Sequence, residues 1–526
     1  MDDPLSFSKA KQPGVETVSR AEERFDLLRR RIGLYLAPMA FGAAFWLTHG
    51  KLSSGGNCLS AILAAVLVLW MTEAIPLPVT AMLGACLCIL MGVADAKVVF
   101  APFADPIIFL FIGGFIIARA MTLHHLDRRF ALAILSLRGV GGSRARILGA
   151  FGLVTAVVSM WISNSAATAM MMPIALGILR AIQGMNRPGD GQSGISRELL
   201  ETPFATGLML MTAFAASVGG IGTPIGTPPN LIGIGLINRL TGVDISFFQW
   251  MSLGVPLCVV MYGVLFTLLS LLHNGKSQKG LDAPQIAEYL NAERRSLGGW
   301  TRGQINTLIA FGTAVLMWIA PGILSIAFGK EHPCVLFADK NLPEGMVALI
   351  AVGILFLLPV DRKQGRFTIT WHEAMQIDWG TIILMGGGMS LGGLMFSTGV
   401  AEAIGKNAAL MLVAQSLWGL TALSIAIAIV LSEMTSNVAS ANMIIPVVIT
   451  LAGSAGVNPL PPALGACLGA SFGFMLPVST PPNAIVYGSG LISIPRMVRA
   501  GFLFDVCGFI IIWLGLRLFC PLMGWQ

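Results

Sequence analysis

Apolar residues in this chain gather into runs of about 20, the length of a helix that crosses a bilayer. The runs lie near residues 32–48, 57–75, 77–95, 106–123, 203–236, 247–272, 303–325, 343–360, 378–400, 461–490 and 500–522, and they predict eleven transmembrane helices. Two further apolar stretches, 146–180 and 414–452, are interrupted at their midpoints by related polar motifs, Ser159-Met-Trp-Ile-Ser163-Asn164-Ser165 and Ser432-Glu-Met-Thr-Ser436-Asn437-Val438. These read as re-entrant hairpins, each made of two half-helices that enter and leave on one face. Arg144 and Arg146 before the first, with Arg180 and Arg187 after it, place both of its ends on the basic side. Lys406 before the second and the uncharged segment 453–458 after it are expected of two external ends. One hairpin therefore opens inward and the other outward.

The two motifs belong to a longer repeat. Equivalent positions, such as Ser159 and Ser432, are displaced by 273 residues, and so are Asp105, Gly113 and Gly114 from Asp378, Gly386 and Gly387. Each motif has a companion downstream, Gly226-Thr227-Pro228-Pro229-Asn230 and Ser479-Thr480-Pro481-Pro482-Asn483, displaced by 253 because a loop in the second half is shorter by 20. Helix breakers inside the runs 203–236 and 461–490 predict two unwound helices. The expected organisation is a basic tail (1–31), a first span (32–54), repeat 1 (55–272), a linker (273–302), a connecting span with an external loop (303–342) and repeat 2 (343–522). The fold class is an all-α polytopic membrane protein with inverted-topology repeats. Within the linker, Asp282 to Leu297 reads as a charged surface helix.

Composition agrees, since 526 residues that are 55% hydrophobic and 11% charged, with a mean hydropathy of +0.79, are too apolar for a soluble enzyme. No cleavable signal peptide is evident. The net charge of +7 does not point to nucleic acid, because a cytoplasmic N-terminus puts 25 of the 33 Lys and Arg on the inside. That orientation leaves the C-terminus external. Val15 to Arg31 reads either as an amphipathic surface helix or as a disordered tail. The eight cysteines have no CxxC pair and mostly lie in apolar runs, as small core residues do; the six histidines all lie outside the repeated motifs. No metal other than a coupling ion is expected.

A hairpin tip inside a bilayer has backbone groups that must be satisfied, and Ser, Thr and Asn at a break can cap them. Capping alone would account for one motif. Two motifs with matching companions point instead to a transporter's binding site. Half-helix N-termini turn N–H groups and a positive dipole end toward an anion, while hydroxyls and carbonyls at the breaks suit a hard cation such as sodium. Ser159 and Ser163, like Ser432 and Ser436, are four apart and share a face if the helix persists that far. Neither motif contains Lys, Arg or His, so an anion bound there needs dipoles and co-bound cations. That implies cation-coupled anion uptake. Glu433 has Met160 as its repeat equivalent, which favours a structural role, bonding the hairpin backbone, over proton carriage. Glu73 sits at a span boundary. Gly219-Gly220-Ile221-Gly222 lacks the strand-turn-helix setting of a nucleotide loop, and Gly386-Gly387-Gly388 reads as close helix packing. An intramembrane hydrolase would need a base near its serine, and none is placed. A passive anion channel is separated from a carrier by sodium-driven accumulation.

The four motifs, in their order, resemble those of the divalent anion/sodium symporter family, the dicarboxylate, citrate and sulfate carriers. The resemblance covers nearly the whole membrane region. It implies one sodium among Ser159, Ser163, Asn164 and the carbonyl of Gly226, and a second among Ser432, Thr435, Asn437 and the carbonyl of Ser479. It implies carboxylates held between Asn164 with Ser165 and Asn437 with position 438, flanked by Thr227, Thr480 and Pro481. Two positions depart from the family's Ser-Asn-Thr: Ser165 keeps a hydroxyl, and Val438 loses one. The implied activity is sodium-coupled uptake of C4-dicarboxylates such as succinate, malate or fumarate, with citrate, sulfate or anion exchange as alternatives. The implied setting is a homodimer, in contact with membrane lipid, in a bacterial inner membrane, moving its site by an elevator-like cycle.

Overall fold

A computed structural model describes residues 20–137, 143–182, 202–273, 283–329, 331–409 and 416–525. The first half contains α1 (Arg20–Thr48), α2 (Ser54–Thr72), α3 (Leu77–Leu90), α4 (Ala96–Phe100), α5 (Pro106–Leu123), α6 (Leu126–Leu135), α7 (Arg144–Ser159), α8 (Asn164–Ile182), α9 (Pro203–Gly220), α10 (Pro228–Thr241) and α11 (Phe247–His273). After these come α12 (Ala283–Ser296), α13 (Arg302–Phe328), α14 (Pro333–Asn341), α15 (Glu344–Leu357), the antiparallel pair β1 (Pro359–Asp361) and β2 (Arg366–Phe367), and α16 (Trp371–Ala374). The chain closes with α17 (Trp379–Ser397), α18 (Val400–Ala409), α19 (Leu417–Met434), α20 (Asn437–Ser454), α21 (Leu460–Gly469), α22 (Pro481–Tyr487) and α23 (Ile494–Leu522). The protein is an all-α polytopic membrane protein.

Among the described residues, ten helical stretches are long and apolar enough to cross a membrane, and they include the hairpin arms α8, α19 and α20. The two hairpins run from 144 to 182 and from 417 to 454, within three residues of the expected stretches 146–180 and 414–452. The arms α7, α8, α19 and α20 run 16, 19, 18 and 18 residues, about 24–29 Å at 1.5 Å per residue. A correction concerns the basic tail: Arg20 to Arg31 is neither a separate surface helix nor a tail but the opening turns of α1, while residues 1–19 lie outside the described part. Arg187, Arg197, Lys276 and Lys279 also lie outside it. A helix does occupy the linker, as α12. Helices α6, α14 and α18 and the short strand pair have no counterpart among the elements expected from the sequence.

Repeat equivalence persists in local structure. Asp105 Oδ1 accepts from Ile107 N at 3.1 Å to cap α5, and Asp378 Oδ1 accepts from Thr381 N at 3.1 Å to cap α17. Caps of this type satisfy N–H groups that a helix start leaves without acceptors. Helix α3 packs on α17, and reciprocally α15 packs on α5. The glycines permit close approach there, since a Cβ on Gly113 would lie 2.5 Å from that of Ala348, and one on Gly387 2.5 Å from that of Ala81. All eight cysteines are free, but the expectation that they are core residues holds only for Cys88, Cys258, Cys467 and Cys520; Cys86 and Cys334 are exposed. The described residues contain no His/Cys/Asp/Glu cluster able to hold a metal.

Candidate functional site

The first corner lies where α7 stops at Ser159 and α8 starts at Asn164. Ser159, fully buried, donates its hydroxyl to Asn164 Oδ1 at 2.9 Å. Beside it, α9 ends at Gly220 and α10 begins only at Pro228, which leaves the last carbonyls of α9 without helical partners. The Asn230 carboxamide supplies them: its Nδ2 donates to Gly220 O at 2.9 Å and to Thr223 O at 2.8 Å. Thr223 in turn donates to Met160 O, tying the break to the hairpin tip. Gly220 is needed for this contact, because a Cβ there would lie 2.4 Å from Asn164 Oδ1. Gly226 is equally constrained, since its Cβ would come within 2.5 Å of Gly220 O.

The second corner repeats this arrangement. Ser432 donates to Asn437 Oδ1 at 2.7 Å and also reaches Ala470 O at 2.9 Å. Asn483 Nδ2 donates to Gly473 O at 2.9 Å and Leu476 O at 3.0 Å, the same frame as Asn230 after a displacement of 253 residues. Thr480 Oγ1 accepts from Asn483 N at 3.4 Å at the start of α22.

The helix that follows each break crosses to the other half. Helix α10 packs on α20 and α21, whereas α22 packs on α8 and α9. Cys467 on α21 donates to Pro229 O at 3.1 Å, and Phe214 on α9 meets Phe474 of the second break with ring centroids 4.8 Å apart. The corners are parts of one interleaved core. The N-termini of α8 and α20 face this region, and the N–H groups of Ser165 and Val438 belong to first turns, where a helix offers no internal acceptor. Four fragments thus bring amide dipoles, hydroxyls and carboxamides together without a cationic side chain from the motifs, a surrounding for an anion with small hard cations.

The structure brings Ser159 together with Asn164, sets Gly226 against the same break, and brings Ser432 together with Asn437. Ser163 and Ser436 correct the shared-face expectation. The helix has already ended before each of them, and their hydroxyls instead accept from Ala166 N at 3.3 Å and Ala439 N at 3.2 Å as N-caps. Thr435 turns its hydroxyl back to Leu431 O at 3.0 Å. Thr227 and Thr480 are buried, Ser165 and Val438 are half-buried and Pro481 is exposed. Ser479 donates its hydroxyl to the Glu433 carbonyl at 3.0 Å and to Glu433 Oε2 at 2.8 Å.

Glu433 has a structural place, but its partners differ from those expected. Its Oε1 accepts from Phe474 N and, at 2.8 Å, from Met475 N, so it ties the hairpin to the broken helix and not to its own backbone. Not legible from the sequence were the burial of Asp505 on α23, where its carboxylate oxygens have no hydrogen-bond partner among the described groups, and the framing roles of Asn230 and Asn483. The two asparagines were legible as matched positions in the Pro-Pro-Asn companions. Asp505 carried no signal beyond being an acid in an apolar run.

A cavity of about 630 Å³ adjoins the first corner. Its wall includes Ala166 and Met170 of α8, Arg128 of α6, Arg180, and Tyr289 and Glu293 of α12. Arg128 and Glu293 form an ion pair there. Asp127 and His125 line it as well, so its wall carries charges of both signs.

The profile of the family described as "Sodium:sulfate symporter transmembrane region" matches residues 31–525. The sodium-dependent dicarboxylate transporter SdcS of Staphylococcus saprophyticus is 33% identical over 483 residues, covering 91% of this chain and 89% of that protein. SdcS of Staphylococcus aureus USA300 is 33% identical over 488 residues with the same coverage, 91% and 89%. Two solved structures share the fold at 14% identity: the YdaH transporter of Alcanivorax borkumensis, with a TM-score of 0.54 covering 95% of this chain and 98% of that one, and MtrF of Neisseria gonorrhoeae, with a TM-score of 0.50 covering 90% and 96%.

Proposed function

The chain belongs to the sodium:sulfate symporter family, and from that premise we propose that it takes up a C4-dicarboxylate together with sodium, at one site formed by both corners. It is an integral membrane transporter and not an enzyme. The observation that carries the proposal is the duplicated corner, Ser159–Asn164 and Ser432–Asn437, with each following helix seated on the opposite half. The relatives named sodium-dependent dicarboxylate transporter SdcS support the choice of ion and substrate.

A dianion cannot be carried through a low-dielectric environment at tolerable cost without compensation. Two sodium ions compensate it. One is held by Ser159, Ser163, Asn164 and the Gly226 carbonyl, and the other by Ser432, Thr435, Asn437 and the Ser479 carbonyl. In the structure's geometry Ser159 and Ser432 donate to the carboxamide oxygens. With sodium present, those same oxygens turn to the ion, and the carboxamide N–H groups of Asn164 and Asn437 are aimed at the carboxylates. Ser165 adds a donor at one end, Val438 an apolar wall at the other, and Thr227, Thr480 and Pro481 flank the ligand. Cations thus preassemble the anion site, which makes substrate binding sodium-dependent.

The repeats, 55–272 and 343–522, are placed in opposite orientations, with the N-terminus cytoplasmic, the C-terminus external and the linker inside. The cavity beside α8 is then the cytoplasmic access path. The hairpins and broken helices move as an elevator-like unit, in a homodimer in a bacterial inner membrane. The test is uptake of labelled succinate by proteoliposomes with an imposed sodium gradient, competed by citrate and sulfate. Accumulation that needs sodium and yields to C4-dicarboxylates is expected. Uptake indifferent to sodium, or competed only by sulfate or citrate, overturns this assignment.

A further inference from the structure

The face of α8 that lines the cavity has a counterpart in the second half. Ala166, Ala169, Pro173 and Ile174 correspond, after a displacement of 273 residues, to Ala439, Asn442, Pro446 and Val447 on α20. The two faces differ in what covers them. Ala169 and Pro173 are exposed beside the cavity, whose wall also takes in Thr122 of α5 and Arg128 of α6. Asn442 and Pro446 are buried, because α20 packs on α17 and α18, and Ala439 joins one apolar cluster with Leu391 and Val400. Helices α5 and α6 hold the places in repeat 1 that α17 and α18 hold in repeat 2. The second hairpin is therefore shut on its neighbours, and the first is parted from them. At its far end the α8 face is covered by the linker helix instead, since a Cβ on Gly177 would lie 1.9 Å from the Tyr289 hydroxyl oxygen.

Size makes the closed contact. A Cβ on Gly388 would lie 1.8 Å from Asn442 Oδ1, and one on Gly392 3.3 Å from Pro446 Cγ, so α20 rests its bulk on bare stretches of α17. The first half has these sizes exchanged: Phe115 stands for Gly388, and Ala169 for Asn442. Asn442 is also incompletely bonded. Its Nδ2 donates to Val438 O at 2.9 Å, which leaves Oδ1 as the atom set against α17. That oxygen has no partner among the described groups, and the residue is 4% exposed. A buried acceptor without a donor disfavours the state that buries it, and water relieves it once the contact opens.

We propose that the contact of Asn442 with Gly388 is the latch of the second hairpin: it holds α20 shut on α17 in this state, and the unpaired carboxamide oxygen keeps it poised to part. The latch rests on the alternating-access reading above and adds to it the residues that set the balance between shut and open forms. The close fit makes the contact specific to this pair, and the orphaned oxygen makes it weaker than an apolar pair of the same shape.

The test is labelling of a reporter cysteine at Val447, whose counterpart Ile174 lines the cavity, in the full chain with the exposed Cys86 and Cys334 replaced by serine. A membrane-impermeant maleimide is applied to either side of proteoliposomes. Gly388→Ala should raise the labelling rate from the external side about tenfold or more, because its methyl group and the Asn442 carboxamide cannot share one space. Its thermal unfolding midpoint should stay near the parent's, since the open form relieves the clash. Adding Asn442→Ala, which copies position 169, should return labelling to the parent rate or below it. Asn442→Ala alone, which removes the unpaired oxygen, should label about fivefold more slowly than the parent. The latch is overturned if Gly388→Ala lowers the unfolding midpoint with labelling unchanged, if the double substitution labels as fast as Gly388→Ala, or if Asn442→Ala alone labels faster than the parent. Labelling that follows these substitutions from the cytoplasmic side only would instead sink the orientation given above, and a parent without sodium-driven uptake would sink the proposed function; in both cases the order of the labelling rates still decides the latch.

Discussion

Around the first break the Asn230 carboxamide spans Gly220 and Thr223, and around the second the Asn483 carboxamide spans Gly473 and Leu476, with nearly the same distances. The frame is common, but what surrounds it is not. Where the first half has Met160, Cys258 and Gly226, the second has Glu433, Asp505 and Ser479, and where the first has Ser165 the second has Val438. The comparison separates two tasks. The shared Asn230 and Asn483 frames end and restart a helix inside an apolar core, whereas the Ser–Asn corners beside them, and the residues that differ around them, shape the surroundings of ligand and ions.

The largest expected effect comes from striking the shared corner. Asn164→Ala and Asn437→Ala should each reduce sodium-driven uptake more than about a hundredfold, since each removes contacts to both an ion and a charged ligand. Folded protein should remain, as judged by a monodisperse gel-filtration profile in detergent. Normal uptake by either variant would remove that residue from the site.

Next come the frame asparagines. Asn230→Ala or Asn483→Ala leaves two buried carbonyls without donors, a loss of about 2–6 kcal/mol. Both should lower the thermal unfolding midpoint by similar amounts, with uptake lost in proportion to unfolding. An unequal pair would show that the halves do not share the frame equally.

The glycines facing the corners sharpen the comparison, because they differ in room. An added Cβ at Gly220 would lie 2.4 Å from Asn164 Oδ1, whereas one at Gly473 finds Asn437 Oδ1 at 3.3 Å and Thr480 Cγ2 at 3.2 Å. Gly220→Ala should therefore abolish uptake, while Gly473→Ala keeps it within about tenfold, a difference of about 1.4 kcal/mol or more. Equal effects in parallel uptake assays would mean that the corners are not packed as described.

The smallest effect belongs to Val438→Thr, which restores a hydroxyl at the second tip. It should change half-saturation for succinate by about two- to tenfold, the worth of one hydrogen bond of about 0.5–1.5 kcal/mol, with sodium dependence unchanged. An unaltered succinate titration would place Val438 away from the ligand.

Much of this frame was legible before any coordinates, for a physical reason. Pro, Gly, Ser and Asn inside apolar runs punctuate helices, so the breaks after Ser159, Gly220, Met434 and Gly469 sit where the sequence is punctuated. The extent of the arms was legible too, since 146–180 and 414–452 lie within three residues of the observed hairpins. Helices α6 and α18 are ten residues each and amphipathic, too short to stand out beside spans. The hydroxyls of Ser163 and Ser436 were misread for want of one fact, that the helix ends before them. Asp505 stood in the sequence only as an acid in an apolar run, and its burial follows from the packing of α23 on the second break.

Calorimetric titration of succinate into the purified protein, with and without sodium, tests most directly whether both corners serve one pocket. One succinate per chain should bind, only with sodium, and Ser159→Ala and Ser432→Ala should each weaken it at least about tenfold. Two independent succinates per chain, or undiminished binding after loss of either serine, would contradict it.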